Sequence, residues 1–109
     1  MKNVNPTTQA AIEKVFPAAL EIRNYLNTLS EDQIDEIEYS ADPVEQNAVT
    51  KLYFWIREIG EGINCCLELS EDEEEKDFWI SLHNREITEA AYHLEIRTKQ
   101  LSEYLEGRK

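Results

Sequence analysis

Apolar residues recur at helical spacing along almost the whole chain. From Ser70 onward, Ile80, Ile87, Leu94 and Leu101 return once per heptad, and Ala90, Ala91, Thr98, Tyr104 and Leu105 fill the intervening positions of that seam. Ser70-Glu71-Asp72-Glu73 reads as a capping box, with Ser70 capping the Glu73 amide and Glu73 reaching back to the Ser70 amide. Neither Gly nor Pro follows before Gly107, a natural stop. The pattern predicts one helix over 71–106, roughly 50 Å long at ~1.5 Å per residue. Such a helix is too long and too charged to stand alone, so the other segments are expected to pack along it.

Toward the amino terminus, Asn5-Pro6 is a helix opening, with Asn5 as N-cap and Pro6 in the first helical position. Ile12, Val15, Ala19, Ile22, Leu26 and Leu29 then form a second heptad seam, which predicts a helix over 6–29. The ring of Pro17 clashes with the Glu13 carbonyl, but the seam keeps its phase across it. A kink is therefore expected rather than a break. Ser30-Glu31-Asp32-Gln33 is another capping box and opens a short helix over 31–40, ended by Asp42-Pro43. Few of its residues are apolar, so it should cover one end or side of the bundle. Asp42-Pro43-Val44-Glu45 reads as a third start, with a helix over 43–69 and a broad apolar stripe that includes Leu52, Ile56, Ile59, Cys66 and Leu67. Gly60 and Gly62 weaken that helix and point to a close approach of a neighbour or a local bend. The fold class expected is all-α, a mostly antiparallel helical bundle of three long helices plus one short helix, as a single domain over 1–109.

Charge changes the picture more than composition does. The chain holds 23 acidic and 11 basic residues, for a net charge of −12. That surface repels nucleic acid and anionic membranes and attracts a basic protein. No apolar run approaches the ~20 residues of a membrane span, and Met1 to Thr8 lacks the apolar core of a signal peptide. Cys65 and Cys66 are adjacent and have no other cysteine to pair with. They read as reduced thiols of a cytoplasmic protein, one of them in the core. With no cation within four residues of the pair, a lowered thiol pKa and a redox switch are not expected.

The carboxylates fall into two clusters, one from Glu31 to Glu45 and the other from Glu68 to Asp77. Part of this reflects the preference of helix N-termini for negative charge. The functional reading is a surface that meets a basic partner, with rows of carboxylates on a rigid bundle imitating the field of a nucleic acid. Asp32, Asp35, Glu36, Glu73, Glu74 and Glu75 are the candidate partner-binding residues, all expected to project from the rigid backbone of helices that the two clusters open. Arg97, Lys99, Arg108 and Lys109 gather near the carboxyl end, where cations complement the helix dipole.

Other chemistry finds little support. A helical Mg²⁺-dependent nucleotide hydrolase needs carboxylates facing one another across helices. Glu71 to Glu75 resembles half of such a motif only superficially, and Glu86 and Glu89 offer Glu-x-x-Glu rather than Glu-x-x-Asp. Glu89 and His93 share a face, but the Glu-x-x-His of a dimetal bundle is missing. No nucleophile elbow, phosphate-binding glycine loop or zinc-like cysteine spacing is present. No cofactor and no catalytic or metal-binding residue is expected. The aromatics of Tyr53-Phe54-Trp55 and Phe78-Trp79 cannot all face one core, so one of each group should be exposed or covered by another subunit. The function expected is that of a small acidic interaction protein that binds and modulates or inhibits a basic protein, such as one that handles nucleic acid. The alternatives are the Mg²⁺-dependent hydrolase and a structural homo-oligomer.

Overall fold

The computed structural model describes residues 1–107. Arg108 and Lys109 of the expected carboxyl-terminal basic group lie outside the described residues. Four helices follow in order: α1 (Pro6–Leu26), α2 (Glu31–Ser40), α3 (Ala48–Glu68) and α4 (Lys76–Glu106), with no strand among the described residues. Asn5 opens α1 by accepting the Thr8 amide at 2.8 Å, and α1 runs through Pro17 without a break. Ser30 and Gln33 exchange both bonds of the expected capping box at the start of α2.

Two helix starts lie later than the sequence predicts. The chain from 71 to 75 is a turn rather than the first turn of α4. Ser70 Oγ accepts the Asp72 amide at 3.2 Å, the Glu73 amide donates to the Ser70 carbonyl at 3.1 Å, and Glu75 takes a left-handed conformation with φ 58°. Five consecutive carboxylates would repel one another at helical spacing, and none of them has an apolar side chain to bury. Asp42 likewise caps only an isolated turn. Its Oδ1 accepts the amides of Val44 and Glu45, and Gln46 then turns left-handed at φ 60° before α3 begins at Ala48. Val44 lies in the open, so that turn has no apolar side chain of its own to bury and does not continue into a helix. The first turn of α3 receives its cap from elsewhere: the Glu38 carboxylate on α2 accepts the Thr50 amide at 3.1 Å and the Thr50 hydroxyl at 2.9 Å.

The long helices run up, down and up. Thr8 meets Thr88 and Lys14 meets Glu95, so α1 and α4 are parallel. Trp55 stacks on His93 while Gly62 faces Ile87, so α3 and α4 are antiparallel. The result is a rod of 52 × 25 × 22 Å, with α4 as its spine and α2 laid across the upper end against α3. The expected seams are buried over most of their length, but Ile22 and Ile80 are only half-buried, and Leu29, also half-buried, falls past the end of α1, which stops at Leu26 rather than at 29. Ile12, Val15, Ala19 and Leu26 of α1 meet Ile87, Ala90, Leu94 and Leu101 of α4, with Leu52, Ile56 and Ile59 of α3 completing the core. Leu67, expected in the α3 stripe, is exposed instead, one position beyond the buried Cys66. Cys66 is shielded and Cys65 exposed, and both are free thiols. Burial pushes the Cys66 thiol up, helped by the nearby Cys65 and Glu86.

A polar clamp not anticipated from the sequence ties the amino terminus down. Asn84 is buried in α4. Its Nδ2 donates to the carbonyls of Asn3 and Ile80, and its Oδ1 accepts the Asn5 amide, all within 2.9 Å. Both of its donors and its acceptor oxygen are thereby engaged, which makes burial of an amide tolerable.

The two α3 glycines differ in kind. A Cβ on Gly62 would sit 2.6 Å from Ile87 Cγ1, whereas a Cβ on Gly60 would meet nothing within 4 Å. Gly62 is the close approach, and Gly60 is an avoidable weak point. Gly60→Ala is expected to raise stability by up to ~1 kcal/mol through helix propensity. Gly62→Ala is expected to lower it by ~1–2 kcal/mol, because overpacking against the buried Ile87 outweighs the same propensity gain. Urea melts of both variants check this; equal shifts for the two would mean that α3 and α4 are not pressed together at Gly62.

Candidate partner-binding surface

α2 carries Asp32, Asp35 and Glu36 at helical spacing on one face, and all three are exposed. Glu73, Glu74 and Glu75 are also exposed, but they project from the turn before α4 rather than from a helix. The structure does not bring the two trios together. Glu71 pairs with Lys2 at 3.7 Å, and the Asn3 side-chain Nδ2 donates to the Cys66 carbonyl, so the 71–75 turn lies at the lower end beside the amino terminus. α2 lies at the upper end, where Glu36 shares a groove with Leu105. The trios thus occupy opposite ends of the rod.

Charge compensation differs within each cluster. The hydrogen bond from Lys76 to Glu71 at 2.6 Å and the charge of that ammonium, joined by Lys2, hold Glu71 below the usual carboxylate range. Asp32, Asp35, Glu73, Glu74 and Glu75 form no ion pair among the described residues. Asp42, grouped by sequence with the exposed cluster, is instead buried and paired with Arg97 at 3.3 Å. Arg97 is therefore a cross-link between α4 and the α2–α3 connection rather than part of a carboxyl-terminal basic patch.

Among the described residues, two of the grooves between the helices bear on binding. The larger, of about 610 Å³, opens where α1, α2 and α4 diverge. Ile22, Leu29, Ile37 and Leu105 supply its apolar lining, and each helix contributes one carboxylate: Glu21, Glu36 and Glu106. Thr98 also lines it and is buried, and its Oγ1 has no hydrogen-bond partner among the described residues. Sequence reasoning missed this groove, because its lining is divided among three helices whose faces each look like ordinary core and surface.

The smaller groove, of about 270 Å³, lies between α3 and α4. Glu58 and Glu61 on α3 share it with Glu86 and Glu89 on α4, beside the stacked Trp55 and His93. Two Glu-x-x-Glu pairs on facing helices could have been read from the sequence, had Glu58 and Glu61 been set against Glu86 and Glu89 in antiparallel register. Among the described residues, no three His, Cys, Asp or Glu side chains converge as a metal site.

The aromatic groups divide as their spacing requires. Phe54 and Phe78 are exposed. Tyr53 is half-buried and donates to Asn27 Oδ1 at 2.8 Å. Burial pushes the Tyr53 phenol up, partly countered by Arg23. Trp79, also half-buried, stacks on His83. No helix among the described residues is long and apolar enough to cross a membrane. Comparison with protein-family models, with curated proteins and with solved structures finds no match for this chain.

Proposed function

We propose that the chain is a non-enzymatic interaction protein whose acidic surface binds a basic protein, such as one that handles nucleic acid, and blocks or modulates it. The observation that carries this reading is uncompensated surface charge. Five of the six carboxylates in the two trios are exposed without an ion-pair partner among the described residues, on a chain of net charge −12. Like charges on one rod repel, and a basic partner relieves that repulsion while being steered toward it. A rod with carboxylates at both ends and along the α3–α4 groove presents negative potential over its whole length, as a nucleic acid does.

The separation of the trios makes the test specific. A partner smaller than the 52 Å rod engages one end, so the two trios are expected to contribute unequally. Asp32→Asn/Asp35→Asn/Glu36→Gln and Glu73→Gln/Glu74→Gln/Glu75→Gln are compared with wild type by surface plasmon resonance against the basic protein captured from native cytoplasm, over a salt series. Both variants should fold. One should lose about tenfold in association rate at 0.1 M salt, with little change at 1 M, where the Debye length is only ~3 Å. If both bind like wild type with the same salt slope, the acidity is no more than a solvated surface.

A further inference from the structure

We propose that the groove between α1, α2 and α4 seats a basic amphipathic helical segment of a protein partner, with its apolar anchors inside and its Lys or Arg residues against Glu21, Glu36 and Glu106. The inference rests on the acidic-binder reading and adds the place and the form of the ligand. Two observations carry it. A groove of about 610 Å³ is within the size range of ligand sites and has an aliphatic lining from Ile22, Leu29, Ile37 and Leu105. Its carboxylates come one from each bounding helix, so cations on several sides of an inserted apolar side chain meet a counter-charge.

The chemistry of the walls selects the ligand's form. A peptide added as a β-strand needs backbone donors and acceptors from a sheet edge, and the described residues include no strand. The walls are helices whose backbone groups are bonded internally, so they offer side chains only. A helical ligand satisfies its own backbone and presents anchors at one-turn spacing, as helix-in-groove recognition requires. Nucleic acid is repelled by the three carboxylates. A second copy of the chain would bring the same net charge of −12, which disfavours it as the occupant.

The probe is a synthetic peptide of about four helical turns with Leu at the one-face positions and Lys elsewhere. It is titrated into the isotope-labelled full chain and followed by amide chemical shifts at 0.1 M salt. Saturable shifts centred on Ile22, Ile37, Thr98 and Leu105 are expected. A peptide of the same composition with scrambled Leu positions should bind at least about tenfold more weakly, as loss of the anchors implies. Ala18 lines the groove and is exposed, so Ala18→Trp fills the space without removing charge. This variant, and separately Glu21→Lys/Glu106→Lys, should each weaken binding by about tenfold or more while circular dichroism stays unchanged. Shifts spread evenly over the exposed carboxylates, with Ala18→Trp binding like wild type, would overturn the groove assignment but leave the basic-partner reading standing. Failure of every Lys-rich peptide to bind at any salt would overturn both. Concentration-dependent self-association that perturbs the groove without peptide would replace the proposal with a second copy of the chain.

Discussion

Arg97→Leu is expected to destabilise the protein by about 3 kcal/mol, the low end of the range for breaking a buried ion pair because Arg97 keeps some contact with solvent. Arg97 Nη1 lies 3.3 Å from Asp42 Oδ2 and from Gln100 Oε1, and Nη2 lies 3.7 Å from Glu45 Oε2. Asp42 is almost wholly buried, and only its other oxygen is occupied, by the Val44 and Glu45 amides. Removing the guanidinium leaves a desolvated carboxylate facing an apolar side chain, and the connection that aims α3 loses its tie to α4. Asp42→Asn removes the charge and keeps the capping oxygen, so it should cost less, about 1 kcal/mol. In the double variant no unpaired charge remains, and the loss should be smaller than the sum of the two single losses. Urea melts of the four proteins measure the coupling. A loss below ~0.5 kcal/mol for Arg97→Leu, as for ordinary surface changes, would mean that the pair is not closed off from solvent.

Leu94→Ala is expected to cost ~2–5 kcal/mol. Leu94 is completely buried at the middle of α4, one heptad from the equally buried Ile87 and Leu101. α1 and α3 both pack on this stretch of α4, so the cavity left by the missing methyls is walled on several sides and cannot easily collapse. Ile96→Ala, two positions along on the exposed face, is the control and should change stability by less than ~0.5 kcal/mol. Denaturant melts of both variants decide whether the heptad seam or the general hydrophobicity of α4 holds the bundle. Equal effects at positions 94 and 96 would place the core on the wrong face.

That Leu94 and not Ile96 is buried was already determined by the sequence, because a 3.6-residue period assigns each apolar position to one face before any partner is known. The same holds for the α1 seam through Pro17, the capping box of Ser30 and Gln33, the single shielded cysteine, and the exposed member of each aromatic group. These properties depend on residues within a few turns of one another. The late starts of α3 and α4 were decided by the tertiary structure. Capping motifs at Asp42 and Ser70 specify that the chain turns, but a helix continues only where its next turn buries something, and neither Val44 nor the 71–75 carboxylates do. Asp42 reads as one more acidic residue until Arg97 arrives from 55 positions away. Asn84 reads as helix surface until the amino terminus folds over it. The candidate surface divides in the same way. Net charge and the membership of both trios follow from composition and local order. Their placement at opposite ends of the rod, the gathering of Glu58, Glu61, Glu86 and Glu89, and the groove between α1, α2 and α4 follow from the up-down-up path. Helical periodicity assigns a residue to a face; only the packing of whole helices determines which faces meet and where they part.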